Sequence, residues 1–156
     1  MASKITDNLY LGTYYDAMDL DWLKSHNITH IVNASMGSNY YPERIKYYKI
    51  DVYDDSKSNI SIYFEKSSEF IDKAICAGGK SEMGKDYQVG NVLVHCMAGK
   101  SRSPTLVVAY LVSKKGMTLD EALQLVKQNR PIIRINLGFV EQLREKFSAN
   151  YYSTCQ

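Results

Sequence analysis

Apolar and polar positions fall in blocks along the chain, and the period changes from block to block. LYL at Leu9–Leu11, closed by Gly12, predicts a short strand. From Asp16 to Ser25, Ala17, Leu20 and Leu23 recur at helical spacing, with Asp16 as the N-cap. THIVN, Thr29 to Asn33, is short and β-branched, as a buried strand is. Met36 to Pro42 reads as a loop, and YYKIDV, Tyr47 to Val52, as a strand that runs into the polar loop Asp54–Asn59. Ile62 to Ala77 predicts a helix, because Ile62, Phe64, Phe70, Ile71, Ala74 and Ile75 make one broad apolar face. Residues 78–90, GGKSEMGKDYQVG, have glycine and charge but few core residues and read as an exposed loop.

Val92–Val94 is apolar on both faces and so predicts a central strand. Pro104–Ser113 is apolar nearly all round, which predicts a buried helix. Thr118, Leu119, Asp120 and Glu121 fit a capping box that opens a helix to about Gln128. Pro131 interrupts, and a last helix is expected from Leu137 to Phe147. Strands alternate with helices, so the expected fold class is α/β: a central, mostly parallel twisted sheet flanked by helices. There is no internal repeat and no dividing linker, so residues 1–156 are expected to form a single domain. Packing on half-buried strands and surfaces accounts for most of the 13 tyrosines.

Composition narrows the partners. A chain of 156 residues with 45% hydrophobic and 23% charged residues can bury a core, and a net charge of +2 gives no reason to expect nucleic acid or an anionic membrane. No apolar run reaches the length of a membrane span, and the first residues carry neither a secretory core nor a glycine after Met1. Cys76, Cys96 and Cys155 are odd in number and lack metal-ligand spacing. A reducing interior is expected, cytoplasmic with nuclear access open. Cys155 is expected to be an exposed thiol at a frayed end, and STCQ is not a prenylation box.

One stretch does not fit a plain core. In VLVHCMAGKSRSPTLVVAYLV, residues 92–112, a run of small and basic residues separates the strand from the helix. The carboxyl end of a parallel strand is where open α/β sheets bind ligands. A helix start there offers free amides and the positive end of a dipole, and binds phosphate. Gly99 permits the turn, Arg102 adds a fork that matches phosphate oxygens, and Pro104 suits an early helical position. The field that binds phosphate also favours thiolate over thiol at Cys96. A thiolate beneath a bound phosphorus suggests covalent phosphoryl transfer through a cysteinyl-phosphate.

His95, Cys96, Met97, Ala98, Gly99, Lys100, Ser101, Arg102 and Ser103 match the H-C-x-x-G-x-x-R-S/T signature of cysteine-dependent protein phosphatases. HCMAGKSRSPTLVVAYLV resembles the dual-specificity branch, and NLYLG, NISIYFEKSSEFID and NLGFVEQL extend the similarity through most of the chain. The resemblance implies a protein-tyrosine-phosphatase-like fold and hydrolysis of phosphotyrosine and phosphoserine or phosphothreonine in proteins, by a small stand-alone catalytic domain. It makes Cys96 the nucleophile and Arg102 the phosphate clamp. Met97, Ala98, Gly99, Lys100 and Ser101 supply the rest of the cradle, and the Ser103 hydroxyl assists departure of sulfur. It makes Asp54 the general acid, with Asp55 the close competitor, and His95 and Asn136 supporting residues. Ile135 stands where relatives often have proline before this asparagine. Arg130 and Arg134 flank the same loop, where they could meet a second substrate phosphate. No cofactor or metal is implied, and the expected partner is a phosphoprotein, a phosphorylated kinase among the candidates.

Rival readings differ in identifiable residues. Gly99-Lys100-Ser101 ends like a nucleotide P-loop, but Val94 stands where its first glycine belongs. In the run from Gly79 to Gly84-Lys85, Asp86 replaces the Ser or Thr. A non-catalytic phosphate-binding module of the same fold would typically lose the cysteine or the arginine, and both are present. Lipid-directed relatives often carry two lysines in the cradle, where this chain has only Lys100. RNA 5′-phosphate and carbohydrate phosphate are the other non-protein substrates in this class.

Overall fold

The structure is a computed structural model that describes residues 1–76 and 90–153, with side chains to Ser148. The expected loop therefore lies outside the described residues except for Gly90, as do the end of the helix drawn to Ala77, the Gly79–Asp86 run and Cys155.

The described residues form a five-stranded sheet in the order β1(Ser3–Thr6), β2(Leu9–Thr13), β5(Asn91–Cys96), β3(Ile28–Asn33), β4(Lys46–Lys49). β1 pairs with β2 antiparallel and the other pairs are parallel, so the sheet is mostly parallel as expected. β5 is central, and its side chains alternate between two cores as a strand requires. Val92, Val94 and Cys96 face the larger core, with Leu106, Phe64, Val126 and Phe139. Leu93 faces the smaller one, with Ala17, Leu23, Ile31 and Ile45. The helices are α1(Tyr14–Met18), α2(Leu20–Ser25), α3(Phe64–Cys76), α4(Arg102–Lys115), α5(Leu119–Asn129) and α6(Leu137–Ser153), and a 3-10 turn at Ser61–Tyr63 leads into α3.

Three local expectations are corrected, and one strand had no expectation at all. The helix drawn from Asp16 to Ser25 is two short helices, because Asp19 ends the first and caps the second by accepting from the Trp22 amide at 3.1 Å. Asp16 is not the N-cap of α1. Thr13 is, and the Asp16 carboxylate reaches back to the Thr13 amide at 2.8 Å to complete a capping box. The strand drawn to Val52 leaves regular pairing after Lys49, although Ile50 and Val52 stay buried. β1 carries a single buried side chain, Ile5, too weak a pattern to announce a strand.

α4 starts at Arg102, so Pro104 lies in its first turn, where its missing amide has no helical partner to lose. Every residue from Ser103 to Leu111 is buried. The helix ends at Gly116, whose φ of 68° is left-handed, and the Gly116 amide donates to the Leu111 carbonyl. This sealed helix fixes the floor of the site, because residues 97–101 alone join its first turn to β5.

The Tyr110 hydroxyl on α4 is fully buried and has no hydrogen-bond partner among the described residues. A buried unpaired hydroxyl costs about 1–3 kcal/mol. Tyr110→Phe is therefore expected to leave the urea unfolding midpoint unchanged or raised, whereas a lowered midpoint would show that the hydroxyl is paired in solution.

Candidate active site

The loop from β5 to α4 wraps around the Cys96 sulfur. Cys96 Sγ accepts from the Gly99 amide at 3.2 Å and lies 3.1 Å from Ser103 Oγ. Cys96 and Ser103 are buried, while Met97, Ala98 and Lys100 are exposed around the mouth. Gly99 has φ of 64°, in the left-handed region, and a Cβ there would stand 2.7 Å from the Gly12 carbonyl oxygen and from Arg130 Nη2. Only glycine fits both the conformation and the space. Arg102 is half-buried, with Nη1 donating to the Val52 carbonyl at 3.1 Å and Nε buried without a partner among the described residues.

The carbonyls of the loop are held from outside. The His95 carbonyl accepts from the Ala34 amide at 2.9 Å and the Met97 carbonyl from the Tyr14 amide at 3.3 Å. On the far side the segment after α5 reaches three successive residues. Arg130 Nε donates to the Gly99 carbonyl at 2.8 Å and the Arg134 amide to the Lys100 carbonyl at 2.7 Å. The Asn136 amide donates to Ser101 Oγ at 3.0 Å. The expectation that Arg130 meets a second phosphate is overturned, since its side chain is buried and committed inward. Arg134 touches the cradle through its backbone, and the residue is exposed.

The loop after β4 brings up the two aspartates, and the structure separates them. Asp55 Oδ1 accepts from the Lys57 amide at 2.9 Å, the Ser58 amide at 2.8 Å and the Ser58 hydroxyl at 3.0 Å. These bonds, that of the Lys57 amide first, hold its carboxyl below the usual carboxylate range. Asp54 is exposed and accepts from Asn136 Nδ2 at 2.8 Å, so one residue of the brace reaches both the cradle and this carboxylate.

Two residues of α6 that carry no charge fasten the loop. Gln142 Oε1 accepts from the Ile60 and Ser61 amides at 2.9 and 3.0 Å, and its Nε2 donates to the Ser58 carbonyl at 2.9 Å. Gly138 lies against Ser56, whose carbonyl oxygen would be 2.2 Å from a Cβ at that position. The glycine and glutamine of NLGFVEQL were signals for these contacts, but nothing in their spacing tells which loop they meet.

His95 is buried on the smaller-core side, beside the Tyr14 ring. Its Nδ1 lies 3.3 Å from the Cys96 carbonyl, which can only accept, so the proton sits on Nδ1. Burial drives its pKa down to about 4, against a weaker upward pull from that bond and from Asp16. The ring is neutral at pH 7 and steadies the strand end without adding charge.

A buried sulfur bonded by the Gly99 amide and the Ser103 hydroxyl, with Arg102 at the start of the helix that follows, is an arrangement suited to binding phosphate. Comparison with known proteins agrees. The family profile described as dual specificity phosphatase, catalytic domain, matches residues 9–149. Dual specificity protein phosphatase 1 of Arabidopsis thaliana is 43% identical over 144 residues, 92% of this chain and 67% of the relative. Dual specificity protein phosphatase 1B of the same plant is 39% identical, over 92% of this chain and 80% of the relative. The crystal structure of human tyrosine phosphatase-like serine/threonine/tyrosine-interacting protein superimposes with a TM-score of 0.84 at 33% identity, covering 97% of both chains. The chain belongs to the dual specificity phosphatase family and is a protein phosphatase for phosphotyrosine and phosphoserine or phosphothreonine.

The neutral state of His95 has a measurable consequence. Its proton affinity is lower folded than unfolded, so the unfolded chain gains the proton first as pH falls. The contribution to stability is complete above pH 6.5 and is lost progressively toward pH 4, on the order of 3 kcal/mol in all. His95→Asn is expected to flatten the dependence of unfolding free energy on pH in that window, measured by urea titration at several pH values. An unchanged slope would mean that the folded protein protonates the ring.

Proposed function

We propose that residues 1–156 act as one catalytic domain and that hydrolysis proceeds through a cysteinyl-phosphate on Cys96. The observation that carries this is the sulfur itself, held between the Gly99 amide and the Ser103 hydroxyl at the start of α4. Cys96 Sγ attacks phosphorus, the sulfur–phosphorus bond forms and the bond to the substrate oxygen breaks. The loop amides of Met97 to Arg102 and the Arg102 guanidinium receive the phosphoryl oxygens and the charge that grows on them. Taking the phosphate would draw Arg102 from its bond to Val52 and give Nε a partner.

Asp54 protonates the departing oxygen. Its carboxylate then takes a proton from water, whose oxygen attacks phosphorus as the thiolate leaves, with Ser103 donating to the sulfur. Asn136 supports this reading by holding Asp54 and Ser101 at once. Asp55 is spent on its own turn and is a poor donor, because three hydrogen bonds stabilise its ionised form. A phosphorylated kinase is the first phosphoprotein to test, since an activation loop presents its phosphate on an exposed segment. A thiolate nucleophile must stay reduced, which supports a cytoplasmic or nuclear working place.

The test is hydrolysis of an aryl phosphate and of phosphotyrosyl and phosphothreonyl peptides by purified variants, with reductant and without added metal. Cys96→Ser is expected to fall to background. Asp54→Asn is expected to lose about 10²-fold or more in kcat and the alkaline limb of a bell-shaped pH profile, while Asp55→Asn stays within a few-fold. Reversed behaviour of the two aspartates would reassign the acid, and a fully active Cys96→Ser would remove the covalent route.

Fastening of the acid loop makes a separate prediction. Gln142→Ala is expected to slow phosphothreonyl peptides, whose alkoxide needs the proton, by about tenfold, and an aryl phosphate with a good leaving group much less. Equal slowing of both would mean that Gln142 serves the cradle and not the acid.

A further inference from the structure

Arg130 is buried, 3% exposed, yet no carboxylate pairs with it among the described residues. All its partners are neutral: Nε donates to the Gly99 carbonyl at 2.8 Å, and Nη1 donates to the Met1 carbonyl at 2.7 Å and Ser3 Oγ at 3.0 Å. Desolvating a cation without an ion-pair partner costs several kcal/mol, so a plain packing role would be served better by an apolar side chain. The position has a use that an apolar residue cannot fill. Gly99 is gripped at both ends, its amide on the Cys96 sulfur and its carbonyl on the guanidinium. In a trans peptide the N–H points opposite to the C=O. Fixing the Gly99 carbonyl toward Arg130 therefore turns the Lys100 amide toward the phosphate side. Of the three contacts that brace residues 99–101 from the segment 130–136, this is the one made by a side chain and the one that carries charge.

We propose that Arg130 is a positioning residue for phosphoryl transfer: it sets the cradle amides through Gly99, places a fixed positive charge behind the Cys96 sulfur, and is itself held in place by Met1 and by Ser3 of β1. The inference rests on the cysteinyl-phosphate reading above and adds to it. Burial lowers the proton affinity of Arg130, and Asp16 and Cys96 oppose that, which puts the sulfur within electrostatic reach of the guanidinium. The other charges around this corner are Lys100 in the loop, Arg102 on α4, Arg134 after α5, Asp16 on α1 with the Met1 amino group 3.8 Å from it, Lys49 at the end of β4 and Asp54 on the acid loop, and His95 is neutral.

The test uses the full chain and two readouts. One is the rate of Cys96 alkylation by iodoacetamide against pH, without substrate. The other is kcat and KM for an aryl phosphate. Arg130→Met is expected to move the midpoint of the alkylation profile up by about 0.5–1 unit and to lower kcat/KM by roughly 10–100-fold, with unfolding stability not reduced in proportion. Arg130→Lys keeps the charge and loses the fork, so its midpoint is expected near wild type while kcat/KM stays low. Ser3→Ala, which removes one bond to Nη1, is expected to lower kcat/KM a few-fold in a protein of normal far-ultraviolet dichroism, and it decides the matter if both Arg130 variants fail to fold. A folded Arg130→Met with unchanged midpoint and kcat/KM overturns the proposal, and so does a Ser3→Ala protein indistinguishable from wild type when the Arg130 variants do not fold. Alkylation distinguishes this failure from failure of the underlying reading. A wild type that does not hydrolyse phosphate, but whose Cys96 alkylation depends on Arg130, refutes the mechanism and leaves the electrostatic role standing.

Discussion

Backbone amides can face one sulfur only if the carbonyls of the same loop face away and find partners there. This requirement organises the molecule around residues 95–101. The carbonyl ends go to Ala34 beyond β3, to Tyr14 at the start of α1, and to Arg130 and Arg134 after α5. The parallel sheet, the short helices on one face and the irregular segment before α6 each supply a donor. Without such partners the outer carbonyls would be buried and unpaired, and the loop would relax by turning its amides outward.

The charge arrangement follows the same logic. The site gathers positive potential from a helix start, from Arg102 and from a buried Arg130, while the His95 imidazole in its wall is kept neutral by burial. Fixed dipoles and permanently charged guanidinium groups give a field that does not vary with pH across the physiological range. A protonatable imidazole in the wall would have made the field depend on the medium.

Much of the site was legible in the sequence because chemistry restricts it. Cysteine, glycine and arginine at fixed spacing after an apolar strand have few other uses, and Cys96, Gly99 and Ser103 stand where that spacing puts them. The alternating elements likewise announced a mostly parallel sheet with β5 at its centre. What stayed hidden depends on partners far away in the chain. Arg130 reads as a surface cation until β1 is known to cover it, and β1 was invisible because its four residues bury only Ile5. Asp16 was misplaced by three positions because Thr13, Asp16 and Asp19 are all good capping residues, and only geometry says which one stands at the start. Asp54 and Asp55 look alike in a string of letters. They differ once the turn claims one and Asn136 the other.

The contact of Gly138 with Ser56 has a consequence for recognition. A rim butted against α6 and tied by Gln142 is in place before any substrate arrives, so productive docking need not spend affinity on ordering it. A phosphate on a rigid folded surface and one on a slack peptide then meet the same walls. Selectivity among them has to come from the relief of the surrounding surface and from how far the modified side chain projects, much as a fixed gauge sorts objects by protrusion.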